Sequence, residues 1–369
     1  MFRYIKIKNK LLLLRMESVF YRNSYKQKVI INSFNKITTC KCIRKPDSIN
    51  LQLMKKTFGI LFLLSMFASA YAGRPSESMV CEGFNYLNIR SKIQESESKF
   101  TSPKGDLVAF KNQISGFHDL GLISIPVTES LINKYLNTFS KAERDSVYVI
   151  FNDVVYSAIN DFNDSIELKY FSLLRRNNKK IVETEISEFK RSLDMCGLTL
   201  LQTEGENYVD VKCDYYYKLF KGRVSPALND YLKIRLKELR QGFSEDAELI
   251  ISFHQLYRRV LTWEKFNKKY PGFFNIQETQ LNYATYLSTL ITGMDNSPVF
   301  DYDSGKLFPL VHNLYLKIIS RHDSLKSTRV IKEYYELLKA SDYTRPDHLD
   351  KFLTDNELFS MVGVQPENR

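Results

Sequence analysis

Between Ser140 and Gly363 the apolar residues recur at three- and four-residue steps, in stripes punctuated by helix start and stop signals. A stripe of that period covers one side of a helix, so each helix must lay its apolar side on a neighbour. Ser140 followed by Glu143 is a capping box, in which hydroxyl and carboxylate satisfy amides that the first turn leaves open. The helix it opens carries Val147, Phe151, Val154, Val155 and Ala158 on one face. Ser225-Pro226 sets an N-cap before a proline at the first helical position, and Gly242 stops a helix presenting Leu228, Tyr231, Leu232, Leu236 and Leu239.

Ser244, followed by Glu245 and Asp246 at the positive end of the helix dipole, is expected to open the strongest helix. Its stripe runs Leu249, Ile250, Phe253, Leu256, Tyr257, Val260, Leu261, and Pro271-Gly272 closes it. More helices are expected near 276–293, 306–320 and 327–340, and a last one capped by Thr354–Glu357 and closed by Gly363. The middle differs. Leu198–Gln202 and Tyr208–Tyr217 have the composition of a hairpin around Glu204-Gly205, with Leu200 facing Val209. Lys179–Met195 reads as a helix with Val182, Ile186, Phe189 and Leu193 on one face, and Ser165–Leu173 fits strand or helix equally. The expected fold is mainly α, a helical bundle or short helical array, with a small β-hairpin insert around 198–217.

Met54 to Ala72, MKKTFGILFLLSMFASAYA, has the three parts of a secretory signal peptide. Lys55 and Lys56 form the basic start, Phe58 to Phe67 the apolar centre, and Ala70-Tyr71-Ala72 the small-x-small site cut between Ala72 and Gly73. The apolar run falls short of the roughly 20 residues that span a bilayer. Residues 1–53 then read as a disordered upstream extension, with Met54 the expected initiator. Residues 73–105, broken by Pro75, Gly83, Pro103 and Gly105, read as a partly ordered lead-in with one helix near Tyr86–Ser96, and 106–369 as the helical domain.

Processing changes the charge. The whole chain carries net +11, but residues 1–72 hold 14 Lys and Arg against Glu17 and Asp47 alone. Taking them from the 53 basic and 42 acidic residues leaves 39 and 40, net −1. A nearly neutral product lacks the basic surface on which nucleic-acid binding depends, and that class of partner drops out. An unidentified protein or envelope component remains, with no transmembrane anchor after processing, in the periplasm or outside the cell.

Cys81, Cys196 and Cys213 survive processing. The hairpin register that sets Leu200 against Val209 sets Cys196 against Cys213, and directly opposed residues come close enough for a disulfide. An oxidising compartment favours that bridge, worth about 3 kcal/mol for a loop of this length. The competing arrangement puts Cys196 in the last turn of a helix ending at Gly197, with Cys213 simply buried.

The catalytic motifs are thin. Asp301-Tyr-Asp303-Ser-Gly305 lacks the glycine and glutamate of a calcium loop, because Lys306 and His312 occupy those positions, so a surface turn is expected. His118, His254, His312, His322 and His348 show no zinc spacing; His254 and His312 fall among apolar residues and read as hydrogen-bonded core or boundary groups. There is no GxSxG, P-loop or GxGxxG, so no catalytic residue, metal ligand or cofactor is assigned. The expected function is a non-enzymatic exported binding or envelope-associated module. The alternatives are an exported hydrolase whose site forms only in the fold, and a secreted inhibitor or immunity-type protein presenting the hairpin and Tyr215–Tyr217.

Overall fold

The computed structural model describes residues 84–99, 105–174, 179–203, 206–321 and 324–361, with side chains described for all of these except 165–174, 179–182, 203 and 206. Met54–Ala72, the Ala72–Gly73 junction, Cys81, His322 and Gly363 lie outside them. In chain order the helices are α1 (Tyr86–Lys99), α2 (Leu107–Ser115), α3 (Ser124–Tyr135), α4 (Lys141–Leu174), α5 (Lys179–Met195) and α6 (Tyr215–Phe220). Then come α7 (Pro226–Gln241), α8 (Phe253–Lys269), α9 (Ile276–Thr292), α10 (Pro309–Ile319), α11 (Lys326–Ala340) and α12 (Leu349–Asp355). Short 3-10 turns lie at His118–Ile123 and Leu136–Thr138. Three antiparallel two-stranded ribbons complete the fold: β1 (Leu198–Thr203) with β2 (Glu206–Val211), β3 (Ser244–Glu245) with β4 (Glu248–Leu249), and β5 (Gly293–Met294) with β6 (Ser297–Pro298). The protein is mainly α with small hairpin inserts.

Residue contacts divide the chain into two units. The larger is Pro75–Ile276 with Tyr283–Arg369; the other includes Gln277–Asn282 of α9, and its remainder lies outside the described residues. The first part of the larger unit is organised on α4, which packs against α2, α3, α5, β2 and the His118–Ile123 turn. The Ser140–Glu143 capping box forms: the Ser140 amide donates to Glu143 Oε2 at 2.8 Å, and the Glu143 amide to Ser140 Oγ at 3.3 Å. Val147, Phe151, Val155 and Ala158 are buried, and Val154 is half-buried. Phe151 alone removes an aromatic side chain from water, worth roughly 1.5–3 kcal/mol. The ambiguous Ser165–Leu173 is helix, the end of α4, and α5 follows the expected bounds with Leu193 buried and Phe189 stacked on Phe162 at 6.1 Å.

In the second part of this unit Ser225 caps α7 by accepting from the Leu228 amide, Pro226 occupies its first turn, and Gly242 ends it at φ +69°. Leu228, Tyr231 and Leu232 are buried, whereas Leu236 is half-buried and Leu239 exposed. Trp263 of α8 is buried, with Tyr231 6.0 Å away. Tyr315 of α10 packs edge-on to Tyr334 of α11 and donates to the Leu290 carbonyl at 2.7 Å.

Two helix starts differ from expectation. Ser244 does not open α8: Ser244–Leu249 closes on itself as the β3–β4 hairpin, with Asp246 and Ala247 both at positive φ. The helix starts at Phe253 instead, where Ser252 and Gln255 make a reciprocal capping box that outcompetes the acidic start upstream. Leu249 and Ile250 therefore fall outside it. Likewise Thr354–Glu357 ends a helix rather than starting one: α12 closes at Asp355, and Glu357 lies at φ +60°.

The hairpin register is as expected, Leu200 opposite Val209, but the second strand ends at Val211 instead of running to Tyr217, and the last pair, Leu198 with Val211, leaves both cysteines outside the ladder. No bridge joins Cys196 to Cys213; both thiols are free, Cys196 buried and Cys213 exposed. The last tie is the Lys212 amide to the Gly197 carbonyl at 2.9 Å. Beyond it Cys196 already belongs to the closing turn of α5, donating to the Leu193 carbonyl at 3.0 Å, and Gly197 turns the chain at φ +69°. Helical geometry directs one thiol into the core while the turn before Tyr215 directs the other to solvent.

Candidate functional site

An open groove of about 1110 Å³ runs between α2, α4, the start of α7 and the segment after α8. Asp106 caps α2 by accepting from the Val108 and Ala109 amides at 2.9 and 3.0 Å. That start puts Leu107, Val108 and Lys111, spaced three and four apart, on one face toward the groove. On α4 the groove face is Ala142, Asp145, Ser146, Val149 and Ile150, at the same spacing. This face of α4 mixes apolar and polar residues; Val149 is exposed on it, while Ile150 also packs on the core.

The third wall comes from the stop signal Pro271-Gly272. It ends α8 ahead of two rings 4.5 Å apart: Phe273 is buried, 5.3 Å from both Tyr231 and Phe266, while Phe274 lies 6.3 Å from Tyr148 and stays 48% exposed at the groove. Val108 at 68% and Val149 at 37% are also exposed, so three large apolar side chains present uncovered surface in the lining. The groove's polar groups are mostly committed. Asp145 accepts from the Ser225 amide at 2.9 Å and the Ser225 hydroxyl at 2.6 Å, and Lys269 pairs with Asp230 at 3.0 Å.

Two carboxylates withdrawn from solvent lie elsewhere, Glu129 half-buried and Glu238 buried. Glu129 on α3 accepts from the Tyr215 hydroxyl at 2.5 Å. Burial raises its pKa from the ordinary glutamate value, and the hydrogen bond opposes this in part. Burial and the Glu129 charge push the Cys196 thiol up to about 12, and burial together with Glu129 also raises the Tyr215 phenol. A thiol held protonated at neutral pH is a poor nucleophile, so the trio is packing chemistry. Glu238 on α7 is buried, accepts from the Trp263 indole at 2.8 Å and pairs with Arg235 at 3.2 Å; desolvation raises its pKa against the pull of Arg235 and Arg259. Arg259 donates to the Glu238 and Gly242 carbonyls, closing the end of α7.

Neither carboxylate lines the groove. The histidines do not converge either: His254 and His348 are exposed, contrary to the boundary role expected of His254. His118 contacts the Ser157 hydroxyl at 3.3 Å, and His312 is half-buried against the Tyr335 hydroxyl at 2.7 Å, as its apolar setting suggested. Asp301 folds the expected turn, accepting from the Ser304 amide and hydroxyl at 2.8 and 2.7 Å. Among the described residues no group of three or more His, Cys, Asp or Glu is placed to hold a metal ion, and no helix is long and apolar enough to cross a membrane.

The tyrosine run Tyr215–Tyr217 does not protrude. It opens α6, with Tyr215 buried and Tyr216 and Tyr217 half-buried, and its first two rings pack around Phe151 at 6.0 and 6.1 Å. The groove residues were missed in the sequence. Ala142, Val149 and Ile150 share the three- and four-residue spacing of a core stripe, and Ile150 does pack on the core, so the spacing did not mark a groove. The chain matches no protein-family model, no curated protein and no solved structure.

Proposed function

We propose that this protein is an exported, non-enzymatic binding module whose groove between α2, α4 and Phe274 takes the apolar body of a ligand. Export is supported by the signal-peptide pattern of Met54–Ala72, with Gly73 the expected first residue of the processed chain. The observation that carries the binding reading is that exposed Val108, Val149 and Phe274 line one concave surface. Ligand sites are concave, mainly apolar and furnished with few polar groups, which describes this lining. The only carboxylate in the lining is Asp145, and both of its oxygens are held by Ser225. The reading of a hydrolase built on a carboxylate acid and base lacks a second carboxylate in this lining. The inhibitor reading loses its premise with Tyr215 buried in α6.

The test is fluorescence titration with N-phenyl-1-naphthylamine, a neutral apolar probe. Saturable binding is expected in the native protein and its loss in Val149→Arg, which fills the groove from an exposed position and should leave the melting temperature in place. Absence of saturable binding, or equal binding by the variant, overturns the groove. N-terminal sequencing of exported protein tests the other half: Gly73 first is expected, and residues preceding Met54 in that material would refute processing.

A further inference from the structure

Three charged residues line the groove, and two of them are already spent. Asp145 gives both oxygens to Ser225. Lys269 holds Asp230 at 3.0 Å and lies over the Tyr270 ring at 4.8 Å. Lys111, exposed, makes no hydrogen bond or ion pair among the described residues. It stands one helical turn from Leu107 and Val108 on the same face of α2. Asp145 keeps its negative charge but turns both oxygens to Ser225, so the charged group of the lining with its hydrogen-bonding capacity still open is the Lys111 ammonium, set beside the apolar wall.

We infer that the ligand is an anionic amphiphile, its apolar body against Val108, Val149 and Phe274 and its acidic head on the Lys111 ammonium; this rests on the groove reading proposed above. A purely apolar ligand would leave the lysine unused, and a small hydrated anion would gain nothing from the three exposed apolar side chains. A molecule with both parts satisfies both features. The lysine stem can lie along the apolar wall while its ammonium reaches the head group. The contact of a single exposed charge pair is modest and screened by salt, so the apolar body carries affinity and Lys111 selects the sign of the head.

The experiment compares two probes that differ only in a sulfonate: 8-anilino-1-naphthalenesulfonate and its neutral parent N-phenyl-1-naphthylamine. In native protein at low salt the sulfonate should bind the tighter of the two. Lys111→Gln should weaken the sulfonate about five-fold and leave the neutral probe within about two-fold, the size expected of one exposed pair. Lys111→Arg should restore sulfonate binding, and Lys332→Gln, which removes an exposed cation of α11 outside the groove lining, should leave it nearly unchanged. If the neutral probe binds and the sulfonate is indifferent to Lys111→Gln, the head-group assignment is overturned while the groove stands. If the neutral probe does not bind the native protein, the groove itself fails and this inference with it.

Discussion

Asp145 of α4 and Ser225, the N-cap of α7, are joined by two hydrogen bonds, amide to Oδ1 at 2.9 Å and hydroxyl to Oδ2 at 2.6 Å. The same Ser225 hydroxyl oxygen accepts from the Leu228 amide at 3.2 Å, so the start of α7 is fastened to α4 and its own cap is oriented by that attachment. Hydrogen bonds to an ionised acceptor in a half-buried place are stronger than neutral ones. Asp145→Ala should therefore destabilise by about 1–3 kcal/mol, and Ser225→Ala by about 1 kcal/mol or more. Urea denaturation of the two single variants and the double variant checks this. Because the residues share one network, the two losses should not add; strict additivity would show that the contact contributes nothing.

The cysteines should differ sharply in reactivity. On native protein at mildly alkaline pH, iodoacetamide should modify Cys213, which is exposed, and leave Cys196, whose thiol is buried and pushed up to about 12. Peptide mass mapping before and after unfolding reads both sites. A two-hydrogen mass deficit linking their peptides would contradict the free thiols.

Glu129 should give a pH signature. Its carboxyl binds a proton more tightly in the folded chain than in the unfolded chain, because burial raises its pKa. The stabilisation this brings is complete below the ordinary glutamate value and is lost as pH rises through the folded one. Glu129→Gln keeps an acceptor for Tyr215 and removes the titration. The melting temperature of the native protein relative to that variant should fall as pH is raised above the ordinary glutamate value, about 4.3, through the range scanned. A difference that stays flat across that range would mean Glu129 titrates normally.

Gly197 is required on two grounds. Its backbone is left-handed at φ +69°, and a Cβ there would meet the Tyr215 ring, which is packed on the core. Gly197→Ala should cost about 2–4 kcal/mol, since strain and overpacking act together. Thermal unfolding measures it, and a loss below that of an ordinary surface substitution would mean the turn relaxes freely.

Helix positions were readable where caps and stripe agreed. Ser140 with Glu143, and Ser225 with Pro226 and Gly242, each specify a boundary through local hydrogen bonding, and those boundaries hold. Ser244 misleads for the same local reason. Its acids suit a helix start, but Asp246-Ala247 also suits a tight hairpin turn, and the Ser252–Gln255 box supplies a better cap eight residues on. The pairing of Leu200 with Val209 could be counted from the turn, whereas the fate of the opposed cysteines could not. That depended on where the ladder ends and which way each flanking turn faces, and these are set by Gly197 against Tyr215.

The groove was still further from view. Nothing local distinguishes Val149 from a core valine or Phe274 from Phe273; exposure is decided by what packs over them. By itself the sequence determined the helical class, most helix limits, the hairpin register and a signal-peptide pattern, because each is a property of neighbours along the chain. Only the tertiary structure decided that Val149 of α4 stays exposed, that Asp145 is committed to Ser225, and that Lys111 is left with no partner among the described residues, because each depends on residues far apart in sequence.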